Sequence, residues 1–454
     1  MEVIITEIAE KFIKKICETL TLGKTFTEVE CELLKEAKKC AAELAGTYIS
    51  LVDREILAEK SGRRELGYAV ERRGDERRIQ SQIGEVCYNR TYFKKASGGY
   101  EYLADTVLGI ESRERVSGGL SLQLANAAKD MSYGKSSAHI TGGEVSRQTV
   151  MSRVRRSEAV SKLPEKRSVC ELHIDADEAH ITLCGGKKSE VPLISVYEGI
   201  ESHGKRNKCK NVFHISEYSK TPDDIWEQVL TEIEQRYDLR DTKIYLHGDG
   251  AKWIQKGQEW IPNTTFVLDK YHKNKAIKAM TAGMEQSDRK IFDKEIREAL
   301  ASEDIRFFDE MTQSLCAQLP WREEKIIESA KYLKNFIKGI SICKTDYRAN
   351  NGGCTEPHVS HVLSARLSSR PMAWSKKTLK RLTPVLAAGQ LELHKEQTPK
   401  ALPPPLRKAA VSANKAFRRG TLRGTAGLPS PDSVGNLPLY GKVTDTTKTL
   451  KLFG

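Results

Sequence analysis

Asp249 closes the apolar run Ile244-Tyr245-Leu246-His247-Gly248 and is followed at once by Gly250. A carboxylate at a strand end with a glycine turn behind it suits a hard divalent cation. Upstream, Cys170 to Ile181 reads as a strand. Leu172, Ile174 and Ala176 share one face, and His173, Asp175 and Asp177 share the other. Asp175 and Asp177 are then about 7 Å apart on one side; Asp177 is the first choice as a ligand and Asp175 its reserve. Glu356 stands just before Pro357, at the expected start of a helix running to Leu367. It lies 107 residues after Asp249, which lies 72 after Asp177. Mg²⁺ keeps several waters and takes one or two protein carboxylates. Two such ions about 4 Å apart, with Mn²⁺ able to substitute, would activate a water or a 3′-hydroxyl and stabilise the leaving oxygen. Any one of these acids alone fits a solvated surface; only elements that bring them together would make a site.

Those elements follow in a distinctive order. Strands are expected at Cys170 to Ile181, Val191 to Tyr197 and Asn211 to Ile215. A helix then starts at Thr221-Pro222-Asp223-Asp224, with Thr as N-cap and Pro at the first position. A fourth strand, Lys243 to His247, delivers Asp249, and a fifth runs from Thr264 to Leu268. Three strands, a helix, a strand, a short helix and a strand is the order of an RNase H-like α/β core. In such a sheet the first and fourth strands are neighbours, so the acids can meet. The predicted fold class is therefore α/β, with an RNase H-like catalytic core (166–275 and 346–380) interrupted by a large helical insertion (276–345). A mainly helical N-terminal region (1–76) and a small β-rich segment (77–125) precede it. The clearest helix there runs from Thr27 to about Leu51, with Thr27 as N-cap and Glu30 completing a capping box.

Residues 126–165 hold a candidate helix-turn-helix: Ser132 to Ile140, a turn at Thr141-Gly142-Gly143, then Val145 to Val154. Arg147 and Gln148 would open the second helix, where recognition helices present polar groups to base edges; two packed helices joined by a glycine turn would look the same. Arg366 and Arg370 lie four apart. They could hold a phosphate if their helix continues that far, or form a solvated basic face. From residue 381 to 454 the chain is a basic tail, Pro- and Gly-rich beyond residue 400, which reads as a flexible segment.

Composition sets the wider limits. With 454 residues the chain exceeds one growing core, so two or three domains are expected. Its 39% apolar and 30% charged residues describe a soluble protein, and its apolar runs are strand-sized, which argues against a membrane partner. The N-terminus lacks the pattern of a signal peptide, which points to the cytoplasm. The net charge of +13, from 74 basic and 61 acidic residues, favours a polyanion such as DNA over a merely basic protein. The ten cysteines are scattered without a CxxC pair. Cys354, His358 and His361 are close in sequence but lack a fourth zinc ligand.

Three runs resemble the ISLre-type insertion-sequence transposases of bacteria, a group related to the mutator-like DDE enzymes. They are Gly248 to Ile254, Leu268-Asp269-Lys270-Tyr271-His272, and Glu356 to Met372, with similarity extending over about residues 1 to 380. The resemblance implies a catalytic and metal-binding triad Asp177, Asp249 and Glu356, two Mg²⁺, and a supporting Asp269/His272 pair. It also implies double-stranded DNA as partner, both terminal inverted repeats and target, with cleavage and joining by a homo-oligomer at the bacterial nucleoid. A catalytically inactive or repurposed DNA-binding protein, or an RNase H-like structure-specific nuclease, would share much of this sequence.

Overall fold

A computed structural model of the chain describes residues 2–20, 23–160, 163–203, 206–393 and 412. The described residues divide into two compact units, one ending at Ser121 and a larger one spanning Leu122–His394. The architecture is mixed α/β, with several sheets and many helices.

In the first unit the helix Phe26–Ala58 packs on an antiparallel sheet of Tyr68–Ser81, Gly84–Lys95 and Tyr100–Tyr102. Leu51, Val52 and Ile56 on the helix meet Phe93 and Leu103 in its core. The helix starts earlier than expected. Thr25, not Thr27, is the N-cap, and its hydroxyl and Glu28 exchange the two bonds of the capping box. The boundary expected at residue 76 falls inside the strand Tyr68–Ser81.

The centre of the second unit is a five-stranded sheet, with β1 at Glu171–Thr182, β2 at Lys188–Tyr197, β3 at Phe213–Ile215, β4 at Lys243–Gly248 and β5 at Thr264–Leu268. Its spatial order is β3-β2-β1-β4-β5. The β2 strand runs antiparallel to both β1 and β3, while β1, β4 and β5 run parallel. The helix Pro222–Arg236, capped by Thr221 and Asp224, covers one face. There Ile225, Trp226, Val229 and Ile233 bury against Leu172, Ile174, Ala176, Ile194, Val196, Ile244 and Leu246. Alternation on β1 and β4 sends the odd-numbered residues to the opposite face, which carries the candidate site.

Five helices, Lys270–Thr281, Gln286–Ser302, Ile305–Gln318, Glu323–Asn335 and Ile337–Thr345, follow β5. They bury a core of their own that includes Met280, Leu300, Phe308, Leu315 and Leu333. The chain then returns through the helix Thr355–Val359, a π-helical turn Ser360–Ser364 and the short helix Ala365–Leu367. Residues expected to open the tail instead finish the helix Lys376–Ala387 and form the strand Gln390–Leu393, paired with Ser157–Val160. Apart from residue 412, the expected tail beyond residue 393 lies outside the described residues.

Candidate active site

The parallel register sets the first two acids side by side. Ile244 faces Leu172 across the β1–β4 ladder and His247 faces Asp175. Asp249, two residues past His247, therefore comes level with Asp177, two residues past Asp175. The chain turns sharply there. Gly250 has φ +88°, and a Cβ on it would come within 2.2 Å of the Phe336 ring. The Asp249 carboxylate accepts from the Ala251 N–H at 2.8 Å, and its backbone carbonyl accepts from the Tyr332 hydroxyl at 2.7 Å. Asp249 is half-buried and aimed by its own turn.

The two aspartates of β1 differ sharply. Asp175 is 1% exposed. It accepts from the Tyr197 hydroxyl at 3.0 Å and from the Cys354 N–H at 2.8 Å, with His358 Nδ1 at 3.4 Å. Asp177 is half-buried and accepts from the Glu178 N–H at 2.8 Å. Burial pushes its carboxyl above the usual range. The Glu178 bond and His272 oppose that shift, and the nearby charges of Asp249 and Glu356 reinforce it. The carboxyl of Asp177 thus senses both other acids of the expected triad. Asp175 is committed to the loop that precedes Glu356.

Several bonds hold that loop, among them three that reach the residues around the acids. The Cys354 N–H goes to Asp175, the Gly353 N–H goes to the Tyr197 hydroxyl at 3.0 Å, and the Thr355 hydroxyl goes to Asp269 at 3.3 Å. Gly352 lies so close to His173 and His247 that a Cβ there would come within 2.4 Å of each ring. Glu356 itself is exposed at the first turn of its helix.

Asp269 is the buried N-cap of the helix Lys270–Thr281, accepting from the Tyr271 and His272 N–H groups. The His272 Nδ1 lies 3.2 Å from its carboxylate. Burial alone would raise the Asp269 carboxyl, but the bonds to His272 and Thr355 hold it below the usual range. The same bond raises His272, helped by the charges of Asp177 and Asp249. The pair is therefore both a helix start and a neighbour of the acids. His173 and His247 are both buried with His173 Nδ1 3.1 Å from His247 Nε2, and burial lowers His247 to about 4. Their odd-numbered places beside the aspartates were the available sequence signal.

Among the described residues no three His, Cys, Asp or Glu side chains already enclose an ion position. The donor chemistry nevertheless fits Mg²⁺, which needs only one or two carboxylates and fills its remaining sites with water. Asp177, Asp249 and Glu356 offer hard oxygens alone. The sulfur and nitrogen groups near Glu356 go elsewhere. The Cys209 Sγ is 3.6 Å from His358 Nε2. His361 is exposed on the following turn.

The basic candidates separate in the same way. Arg147 and Gln148 are exposed in the first turn of the helix Arg147–Arg156, which follows the helix Tyr133–Thr141 and the left-handed Gly142. Ser146 caps the second helix, and Val145, Val150 and Val154 bury it. The expected pairing of Arg366 with Arg370 needs correction, because their helix ends at Leu367. Arg366 is buried, donates to the Ala128 carbonyl at 2.9 Å and stacks on Tyr133 and Trp374, so its guanidinium serves the core. Arg370 is exposed beyond the helix end.

Residues 19–395 match the family described as "Uncharacterised protein family (UPF0236)". A UPF0236 protein of Caldanaerobacter subterraneus subsp. tengcongensis is 36% identical over 377 residues, covering 82% of this chain and 80% of the relative. Another from the same organism is 36% identical over 369 residues, 80% of this chain and 77% of the relative, and its name joins eleven designations. A UPF0236 protein of Streptococcus gallolyticus, named for the vanSb 3′ region, is 23% identical over 382 residues, 80% of this chain and 83% of the relative.

Proposed function

The chain belongs to the UPF0236 family, and we propose that it is a DDE transposase of the ISLre type. In this reading it cuts DNA at the terminal repeats of its insertion sequence and joins the ends to target DNA. The observation that carries the reading is that β1 and β4 are adjacent parallel strands, β1 carrying Asp177 and β4 leading into Asp249, while Asp175 and Asp269 hold the loop that leads into Glu356. The sheet order β3-β2-β1-β4-β5 supports it, being the strand order of RNase H-like nucleases and transposases. So does the interruption of that core by five helices before Glu356. Eleven designations for one relative are also what a sequence copied from place to place would leave behind.

Two Mg²⁺ ions would supply the nucleophile at neutral pH and the charge to stabilise the leaving 3′-oxygen. Asp177 and Asp249 would hold them from adjacent strand ends, with Glu356 closing the site from its helix. Asp175, Tyr197 and Asp269 position Glu356 through the preceding backbone and Thr355. His272, whose pKa the bond to Asp269 raises, would face the scissile phosphate side of the acids. The exposed first turn at Arg147 and Gln148 would read the terminal repeats, and the net charge of +13 would hold the duplex.

The test uses the full chain with Mg²⁺ and a duplex carrying the element's ends. Asp249→Asn is expected to abolish strand cleavage and joining while leaving DNA binding intact. Full activity in that variant overturns the reading, and cutting without joining would move it to a nuclease of the same architecture.

A further inference from the structure

The antiparallel sheet of the first unit, Tyr68–Ser81, Gly84–Lys95 and Tyr100–Tyr102, has two unlike faces. The helix Phe26–Ala58 takes one of them. It buries Phe93 among Leu51, Val52 and Ile56, and its Asp53 accepts from the Thr91 N–H at 2.8 Å. Alternation along the strand then turns Tyr92 and Lys94 the other way. The register sets Tyr92 between Arg72 and Tyr102, and Lys94 opposite Tyr100. The Tyr92 ring stacks on Tyr100, with centroids 5.1 Å apart and planes 11° apart, and lies 4.7 Å from Tyr102. The guanidinium groups of Arg72 and Arg90 sit over Tyr92 and Tyr102, at 5.3 and 3.5 Å from the ring centres. Asp75 anchors the row, accepting two bonds of 2.6 Å from Arg72 and one of 2.7 Å from the Tyr102 hydroxyl.

The face of a sheet that does not meet the core is ordinarily polar. Here it carries three tyrosines. Tyr92 and Tyr102 are half-buried, Tyr100 is 48% exposed, and Arg72 and Lys94 are exposed beside them. Cross-strand pairing accounts for Tyr92 against Tyr102. It does not account for an exposed third ring stacked on the first, with cations flanking both. Rings and interleaved cations suit unpaired bases and the phosphates between them, because every base has a π-face and every linkage a negative charge. A duplex hides its base faces, so this chemistry selects single strands. We propose that the face is a stacking platform for single-stranded DNA, with bases on Tyr92 and Tyr100 and phosphates on Arg72 and Lys94. Its use rests on the transposase reading, in which strand cutting exposes unpaired ends; the binding itself does not.

The full chain is titrated into a labelled all-thymidine oligonucleotide of about 12 nucleotides, within the ~4–16 that such platforms take. Excess chelator prevents cutting. Fluorescence anisotropy should show binding that weakens about 5- to 100-fold in Tyr100→Ala, the loss of one stacked base. Tyr100→Phe keeps the ring and should bind like wild type. Lys94→Ala should reduce the slope of log affinity against log salt by roughly 0.7, the single-strand value for one phosphate. Circular dichroism should show each variant folded, and Tyr100→Ala should bind a blunt duplex as wild type does. A wild-type protein that does not bind the oligonucleotide overturns the proposal. So does a folded Tyr100→Ala that binds it as tightly as wild type. Tighter binding of an all-uridine RNA of the same length overturns the assignment to DNA. A protein that shows these ring effects but cuts no DNA with Mg²⁺ counts against the transposase reading alone.

Discussion

Asp175 and Asp177 leave the same face of one strand two residues apart, yet Asp175 is locked to Tyr197 and Cys354 while Asp177 accepts only from the Glu178 N–H among the described bonds and has its carboxyl raised, chiefly by burial. Substitution should separate them by the sign of its effect on stability. Asp175→Asn puts an amide where two donors converge, and losing hydrogen bonds to a buried charge costs about 1.5–3 kcal/mol. Asp177→Asn removes a half-buried charge from beside two others and should leave stability equal or higher. The pH dependence follows from linkage. A carboxyl raised in the folded state binds its proton more tightly there than in the unfolded chain. Stability then falls as pH rises from the unfolded value, near 4, through the raised folded one. Urea melts between pH 4 and 7 should show this loss in the wild-type protein and a smaller one in Asp177→Asn. The same slope in both would remove Asp177 as its source.

The turn after β4 makes a second prediction. Gly250→Ala places a β-carbon into the Phe336 ring and forces a left-handed conformation on an L-residue. Backbone strain of this kind costs about 1–3 kcal/mol, and overpacking adds a similar amount. Together they should lower the unfolding free energy by roughly 2–6 kcal/mol. Adding Phe336→Leu should recover part of the loss, since only the clash is relieved. A neutral Gly250→Ala would show that the turn holding Asp249 is not fixed in this way.

How much of this was legible beforehand depends on the range of the interaction. The β1 alternation and the apolar β4 run are local, so both strands and the acids they present could be read from spacing. The first helix cap was ambiguous for a local reason: Thr25 and Thr27 each have a Glu three residues on, at Glu28 and Glu30, and only the structure selects between them. The commitment of Asp175 was hidden because its partners come from Tyr197 and Cys354, and Cys354 is 179 residues away. Arg366 was misread because a buried stack on Tyr133 and Trp374 leaves no periodic signal in its own segment.

Mg²⁺ should stabilise the protein without any DNA present. Binding only to the folded state at tenfold over the dissociation constant contributes about 1.4 kcal/mol. For a chain of this size that raises the melting temperature by about 2–4 °C or less. Calorimetric scans with Mg²⁺, then with excess chelator, should show the rise and its reversal in wild type. Asp249→Asn and Glu356→Gln should each reduce it. An equal rise in Asp249→Asn would place the ion elsewhere.

Arg147 and Arg366 should fail in opposite experiments. Arg147 is exposed at the start of its helix, so Arg147→Ala should leave the melt within about 0.5 kcal/mol of wild type. A lost base contact should weaken binding to end-bearing DNA by about 1–3 kcal/mol, and Gln148→Ala should behave alike. Arg366 gives its guanidinium to the Ala128 carbonyl and two aromatic faces. Arg366→Ala should therefore destabilise the fold by roughly 2–4 kcal/mol. The salt dependence of DNA binding, measured by fluorescence anisotropy at several salt concentrations, should stay unchanged in the folded fraction, because no phosphate contact is lost. If Arg366→Ala instead kept its stability and lowered the salt slope by about one, the arginine would belong to the DNA surface. Its burial against Trp374 would then not describe the protein in solution.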